Sequence, residues 1–172
     1  PSSSLLEAAR VMSRNNVTSA LVGSEDNVLG ILTTHDIVAA LARSSYGRRP
    51  LHEALVRSYP SVDAQASVLE AAATMVSKGV SGVLVLEGDQ LLGTLTVREI
   101  ISLYAARGAE GLSQRVSDVP IPAGAYVDEG ATVSEAASVM DMEATDVAPV
   151  LCGARVCGAV DDITLTRWLA SL

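Results

Sequence analysis

The sequence contains few aromatic residues. Aromatic side chains make up 3% of its 172 residues, with no phenylalanine and a single tryptophan, Trp168. Because 49% of the residues are nevertheless hydrophobic, aliphatic side chains must fill the interior. A chain of this length can bury a sizeable core as one domain or as two small ones. The composition therefore favours closely packed helices and sheets built on Ala, Val and Leu.

Basic residues are too scarce for a broad nucleic-acid-binding face. Lysine and arginine together number 12 against 20 acidic residues, which gives a net charge of −8, and Lys78 is the single lysine. Affinity for nucleic acid comes chiefly from lysine and arginine displacing counterions from phosphates. We therefore expect no nucleic-acid partner, and an anionic ligand needs a local positive site.

Long apolar runs are also missing. No stretch of about 18 apolar residues suggests a membrane span, and no basic segment followed by an apolar run suggests a signal peptide. We therefore expect no membrane span and a cytoplasmic protein.

Cysteine is rare as well. Cys152 and Cys157 are too few for a disulfide framework and lack the C-x-x-C spacing, so we expect small buried hydrophobic residues. They bracket the short hairpin at residues 153–156 and could face each other across strands. A metal pair is possible there, but the sequence shows no further ligand to support it.

The chain does contain an internal repeat. Residues 4–42 align with residues 67–105 without a gap, and a more divergent copy begins at Thr132. Each copy opens with a capping box, in which a hydroxyl caps a helix and a glutamate reaches back to the cap residue. The three boxes are Ser4-x-x-Glu7, Ser67-x-x-Glu70 and Thr132-x-x-Glu135.

Each copy predicts a β-α-β-β-α unit. Apolar residues at helical spacing follow the capping box, with Gly79 as a plausible helix stop in the second copy. Two β-rich runs separated by turn-forming residues then predict a hairpin, at residues 83–86 and 91–95 in the second copy. The second strand runs into the motif G-x-L-T-x-x-[DE], which occurs at residues 30–36 and 93–99, and a second helix follows.

Short apolar segments punctuated by proline precede the second and third units. Residues 55–62 and 116–122 look like a leading strand, whereas the first unit shows no such segment. We predict three units, residues 1–45, 51–108 and 112–172, called copy 1, copy 2 and copy 3 below.

The repeated unit resembles the CBS domain family, named after cystathionine beta-synthase. The matching residues are Gly30–Ile37 and Gly93–Ile100, together with the strand at Val80–Val85. The resemblance spans nearly the whole chain. It implies an α/β (α+β) fold in which units pair by their sheets into a pseudo-two-fold Bateman module with two clefts.

The resemblance also implies a ligand. Many members bind AMP, ADP, ATP or S-adenosylmethionine, with the motif threonine on phosphate and the acidic residue on the ribose hydroxyls. This implies roles for Thr33 and Asp36 in copy 1 and for Thr96 and Glu99 in copy 2. Backbone contacts of the leading strand and of the next strand imply further residues, namely Ser58, Pro60, Ser81, Gly82 and Val83.

The motif T-x-x-[DE] is itself a capping box, and a structural role alone remains open. Its position after a strand and a glycine nevertheless favours an anion, because a helix N-terminus offers amide donors and a partial positive charge. Carboxylates also suit ribose, as in dinucleotide-binding folds. His35 and Arg98 lie at the second helical position, where a phosphate would offset the unfavourable placement of a cation.

Copy 3 departs from the motif. Asp161 stands where the threonine is expected, and Thr164 where the acidic residue is expected. Asp161 is a good helix cap, but a carboxylate repels phosphate, so we expect no phosphate binding in this copy. With an odd number of units, we also expect copy 3 to expose an apolar sheet face that a second chain would cover, which predicts a homodimer.

The sequence therefore favours a regulatory module that senses an adenosine nucleotide as a ligand and requires no cofactor. The alternative is a dimerisation or assembly scaffold whose clefts bind nothing. We expect neither an enzyme nor a metal site, because no nucleophile–base pair, metal cluster, phosphate-binding glycine loop or dinucleotide fingerprint is visible.

Overall fold

A computed structural model describes residues 3–24, 26–122 and 125–172. The predicted start of copy 1 at residue 1 lies outside the described residues. Copy 1 contains two helices around one hairpin; its elements are α1 (Leu5–Asn15), β1 (Ser19–Ser24), β2 (Asn27–Thr33) and α2 (Thr34–Leu41).

Copies 2 and 3 each contain the complete β-α-β-β-α unit. The elements of copy 2 are β3 (Ser61–Asp63), α3 (Val68–Lys78), β4 (Gly82–Glu87), β5 (Gln90–Thr96), α4 (Val97–Arg107) and the short α5 (Ala109–Leu112). Those of copy 3 are β6 (Val127–Asp128), α6 (Val133–Met142), β7 (Val147–Cys152), β8 (Arg155–Asp161) and α7 (Asp162–Ala170). Short 3-10 turns occur at Tyr46–Arg48, Leu51–Glu53 and Val116–Asp118. The predicted fold is confirmed.

The three sheets share one topology. In copies 2 and 3 a short leading strand pairs parallel to the first hairpin strand, in the orders β3-β4-β5 and β6-β7-β8, and each hairpin is antiparallel. Copy 1 forms the two-stranded sheet β1-β2. All three predicted capping boxes form at the starts of α1, α3 and α6, and α3 ends at Gly79 with φ 63°.

The predicted leading strands are partly wrong. The strand of copy 2 occupies residues 61–63, at the end of the expected segment, and that of copy 3 occupies residues 127–128, beyond the expected one. The apolar residues upstream instead run along the partner sheet, where Val56 exchanges backbone hydrogen bonds with Ala159, and Pro122 accepts one from Thr94. Their hydrophobicity reflects this contact between copies.

Glycine in the G-x-L-T motif makes room for these crossing segments. A Cβ built at Gly158 would lie 2.4 Å from the Val56 oxygen, and one at Gly93 would lie 2.4 Å from the Pro122 oxygen. In copy 1, among the described residues, nothing crosses Gly30, and a Cβ there would meet open space. The motif glycine is therefore required where two copies pair.

Copies 2 and 3 pack sheet against sheet. Tyr59, Leu84, Val147 and Ala159 form an apolar cluster between them. Copy 1 packs through helices, with α1 against α7 and α2 against α6 and α7, and shares one hydrophobic core with copy 3. Copy 2 has a separate core between its helices and sheet, to which Val116 and Val119 from the start of copy 3 also contribute.

The expectation that copy 3 exposes its sheet face is wrong, because copy 2 covers it. Copy 1 carries the exposed sheet instead: Leu21 is 70% exposed and Ile31 is 65% exposed. Leu84 and Thr94, at the equivalent positions of copy 2, are 3% and 2% exposed.

The described helices include none with both the length and the apolar character that crossing a bilayer requires.

Candidate functional site

Three strand-to-helix corners hold the motif residues. We call residues 33–36 the copy 1 corner, residues 96–99 the copy 2 corner and residues 161–164 the copy 3 corner. Each corner joins the last strand of a unit to its last helix, and each contains a complete capping box. The structural role of the motif, capping, is thus present at all three.

The copy 2 corner brings together six of the predicted residues. Thr96 pairs with Gly82 across the sheet, next to Ser81 and Val83. The Thr96 hydroxyl donates to Glu99 Oε2 over 2.5 Å, and the Thr96 amide donates to the same oxygen over 2.9 Å. Thr96 is buried, Glu99 is half-buried and Arg98 is exposed.

The copy 1 corner repeats this geometry in a more open setting. The Thr33 hydroxyl donates to Asp36 Oδ2 over 2.7 Å and its amide donates over 2.8 Å. These hydrogen bonds, from the side chain first and then the backbone, lower the pKa of exposed Asp36. His35 Nδ1 lies 3.9 Å from Asp146 Oδ1 of copy 3.

The copy 3 corner is filled by the protein itself. Asp161 is fully buried and its carboxylate accepts from the Tyr59 hydroxyl over 2.7 Å, from the Ser81 amide over 3.1 Å and from the Thr164 amide over 2.6 Å. Burial raises the pKa of Asp161, against the effect of these hydrogen bonds. Burial, followed by the charge of Asp161, raises the pKa of Tyr59 as well.

Asp162 extends this network to all three copies. Its carboxylate accepts from the Thr34 hydroxyl of copy 1 over 2.5 Å and from the Ser81 hydroxyl of copy 2. Because hydroxyl donors from two other copies meet at this carboxylate, Asp161 and Asp162 together fix the arrangement of the units.

Sequence reasoning missed Tyr59 and Asp162. Tyr59 lies between two predicted residues, Ser58 and Pro60, on a segment that crosses to copy 3. The Pro60 carbonyl accepts a hydrogen bond from the Leu84 amide over 3.0 Å, and Ser58 is exposed. The structure therefore places Pro60 against β4 of copy 2, and of these three residues Tyr59 is the one that hydrogen-bonds to the copy 3 corner. The sequence signal that could have identified Asp162 is the pair of adjacent acidic residues, Asp161 and Asp162, at the start of the copy 3 corner.

A cleft of about 290 Å³ lies where the three copies meet. Its wall is mainly apolar, and Thr34 and Val97, the first residues of α2 and α4, both line it. Other lining residues include Val17, Met75, Val80 and Arg167. The volume is just below the range for small-molecule sites, about 300 to 1,000 Å³.

Comparison with known proteins agrees with the repeat. The family model for the CBS domain matches residues 1–43 and 52–106, which is more than half of the chain. The chain belongs to the CBS domain family. Among curated proteins, none matches this sequence.

Solved CBS-like structures share the fold. Protein MJ1225 of Methanocaldococcus jannaschii, for which homology to g-AMPK has been proposed, is 19% identical with a TM-score of 0.80; the match covers 95% of this chain and 63% of that one. A conserved protein of Pyrococcus horikoshii is 20% identical with a TM-score of 0.80, covering 97% and 75%. The CBS-domain containing protein ATU1752 of Agrobacterium tumefaciens is 25% identical with a TM-score of 0.57, covering 64% and 85%. The chain thus spans less than two thirds of MJ1225.

Proposed function

We propose that this CBS-domain chain is a regulatory module that binds an adenosine nucleotide, such as AMP, ADP, ATP or S-adenosylmethionine, between its copies. One observation carries the proposal: the copy 1 and copy 2 corners, which both keep T-x-x-[DE], border the same central cleft through Thr34 and Val97. The copy 3 corner borders it through Ile163, and the threonines and carboxylates of the motif are next to its lining residues in the sequence but not among them. The copy 3 corner, which has lost the motif, is the one that the protein fills with its own side chains.

Phosphate recognition in this proposal depends on side chains and on the helix dipole. The first amides of α2 and α4 already donate to the carbonyls of Thr18 and Ser81, so a phosphate has few backbone donors to use there. The positive ends of both helices remain, Arg98 adds a cationic group at the copy 2 corner, and His35 adds an imidazole at the copy 1 corner. An anion therefore finds a local positive site on a chain of net charge −8.

Ribose recognition requires the capping carboxylates to change partners. Asp36 and Glu99 accept from their own threonines in the structure. Releasing one cap costs about 1 kcal/mol, which is small beside the roughly 8 kcal/mol of a micromolar complex. The adenine base would lie on the apolar wall that includes Met75 and Val80.

The biological consequence is regulation. A ligand that contacts two copies stabilises the arrangement in which both contacts exist, and this differential affinity biases the geometry of whatever is attached. The nucleotide acts as a signal in this proposal and takes part in no chemistry, so the chain is a sensor and not an enzyme.

The test is a melting and calorimetry series with AMP, ATP and S-adenosylmethionine. At a hundredfold excess over the dissociation constant, binding stabilises the fold by about 2.7 kcal/mol. Thr96→Ala and Glu99→Gln should each remove most of the shift for a ligand held at the copy 2 corner. Thr132→Ala and Glu135→Gln remove the same capping chemistry from α6, away from the corners, and should leave the shift unchanged.

Two results would contradict the proposal. One is the absence of heat and of any melting shift with all three ligands. The other is an equal loss of binding in the corner variants and in the α6 controls, because it would assign the effect to helix capping alone.

The exposed sheet of copy 1 supports a second function, assembly through a second copy of this chain. The paired sheets of copies 2 and 3 show how such a face is covered, and Leu21 and Ile31 occupy the positions that are buried in that pair. A two-fold interface would place these two residues against their counterparts in the partner.

Sedimentation of the chain tests this assembly. We expect a dimer that Leu21→Lys and Ile31→Lys convert to a monomer, whereas Val76→Lys, on an 85% exposed helix position, leaves it intact. A monomeric parent chain, or a dimer that both sheet variants retain, would contradict assembly through this face.

A further inference from the structure

The outer end of the copy 3 sheet carries three side chains able to bind a metal. Cys152 ends β7, Cys157 lies in β8 and Glu129 directly follows β6. The Glu129 amide donates to the Leu151 carbonyl over 2.9 Å, which continues the pairing of β6 with β7. Because the three strands are neighbours in one sheet, the backbone holds all three residues at the same edge.

The ligand atoms are already close together. Glu129 Oε2 lies 3.1 Å from Cys152 Sγ, and the two sulfurs and the carboxylate oxygen all lie within 4.8 Å of one another. The two cysteines form a disulfide, with 5.7 Å between their Cα atoms. Both cysteines are half-buried and bonded to each other, which corrects the expectation that they are small buried hydrophobic residues.

The fold itself does not require this cluster. The equivalent positions of copy 2 are Glu87 for Cys152, Leu92 for Cys157 and Ala64 for Glu129, by the register of the two sheets. Copy 2 builds the same three-stranded sheet without thiols or a disulfide. The three polar ligands of copy 3 are therefore additions to a sheet that folds without them.

We propose that the reduced form of this cluster binds one thiophilic divalent cation of the zinc class. Two cysteine thiolates and one carboxylate supply three ligands, and a water molecule completes a tetrahedral set. A metal with sulfur ligands at about 2.3 Å keeps its two sulfurs about 3.8 Å apart, so the disulfide must open first. Glu129 is the third ligand that the sequence alone did not reveal.

The redox step is balanced by an external dithiol. The dithiol supplies two electrons that break the Cys152–Cys157 bond and is itself oxidised to a disulfide, and the two new thiols lose their protons to solvent as they bind the cation. In the reverse step an external disulfide takes up the two electrons and becomes a dithiol, the Cys152–Cys157 bond reforms and the metal is released. The site is thus loaded only under reducing conditions, and it lies at the far end of β7 and β8 from the copy 3 corner.

Titration with Co²⁺ as the probe tests the site. The disulfide is first reduced with a phosphine, and the phosphine is then removed under anaerobic conditions. The reduced chain is titrated with Co²⁺ while the thiolate-to-cobalt charge-transfer absorbance is recorded. We expect one Co²⁺ per reduced chain, tetrahedral visible bands, competition by Zn²⁺ and no such bands for the oxidised chain. Cys152→Ser and Cys157→Ser should abolish the charge-transfer absorbance.

The exposed carboxylates provide a matched pair of variants that leave the disulfide intact. Glu129→Gln should weaken Co²⁺ binding by about tenfold or more, since losing even an outer-shell partner of a metal site costs about 10- to 100-fold. Asp128→Asn, which changes the exposed carboxylate next to it, should stay within about twofold.

Several outcomes would overturn the proposal. These are a reduced chain without cobalt–thiolate absorbance, equal binding by the oxidised chain, and a Glu129→Gln variant that binds as tightly as its parent. Half a Co²⁺ per chain would also overturn it, because it would indicate a site shared between two chains. None of these readouts depends on a nucleotide, so failure here leaves the proposed function untouched.

Discussion

The copy 2 and copy 3 corners occupy equivalent positions in paired units and differ in what fills them. At the copy 2 corner a threonine and a glutamate hydrogen-bond to each other next to an exposed arginine. At the copy 3 corner a fully buried carboxylate accepts from Tyr59 and Ser81 of the partner unit. One fold thus supports either a corner capped by its own residues or a corner locked by contacts with another copy.

The crossing segments explain part of this difference. Each passes over the motif glycine of the other unit, through Val56 at Gly158 and through Pro122 at Gly93. Three residues beyond Val56, the first segment supplies Tyr59, whose hydroxyl donates to the carboxylate of Asp161.

The largest expected effect is that of Asp161→Ala. Its removal leaves the Tyr59 hydroxyl and two backbone amides without their acceptor, at about 1 to 3 kcal/mol for each unsatisfied group. We expect the free energy of unfolding, measured with urea, to fall by about 3 to 5 kcal/mol. A loss no greater than that of Thr96→Ala would show that the copy 3 corner is not locked.

Tyr59→Phe should come next, with a loss of about 1 to 3 kcal/mol, because the buried carboxyl group of Asp161 loses one hydrogen-bond donor. Tyr126→Phe is the control; this tyrosine is 51% exposed, and its variant should change stability by less than about 0.5 kcal/mol. Equal losses in the two variants would remove the special role of the Tyr59 hydroxyl.

Thr96→Ala should cost only about 1 kcal/mol in the absence of ligand, as expected for a helix cap. Thr132→Ala at the start of α6 should cost a similar amount. A much larger loss at Thr96, seen in urea unfolding of the ligand-free chain, would mean that the copy 2 corner supports the fold as the copy 3 corner does.

The smallest expected effect is a difference in the pH dependence of stability between the buried carboxyl group of Asp161 and the exposed one of Glu135. The raised pKa of Asp161 contributes stability that is fully present below 3.8 and is lost as pH rises through the native value. Backbone and then side-chain hydrogen bonds from Thr132 lower the pKa of exposed Glu135, so its contribution is present above 4.5 and is lost as pH falls.

Urea unfolding from neutral to acid pH measures both contributions. The loss in the free energy of unfolding caused by Asp161→Asn should increase as the pH is lowered. The loss caused by Glu135→Gln should decrease over the same range. The same direction for both variants would contradict the assignment of burial at one site and hydrogen bonding at the other.

Sequence reasoning predicted the unit and its pairing by sheets, but not which copies pair. Capping boxes, β-rich runs and the motif glycine are local signals, so the helices and hairpins could be placed from composition and spacing. Which sheet remains open depends on contacts between copies, which is why the exposed face was assigned to copy 3 and lies on copy 1. Tyr59, Asp162 and Glu129 escaped notice for the same reason, since each acts on residues distant in the sequence.

A crystal structure of the chain soaked with AMP is the most direct test of the central claim, that the corners keeping the motif bind nucleotide and the copy 3 corner does not. We predict phosphate density at the copy 1 or copy 2 corner, with the Tyr59–Asp161 hydrogen bond unchanged. Phosphate at the copy 3 corner with Tyr59 displaced, or a cleft without AMP at saturating concentration, would contradict it.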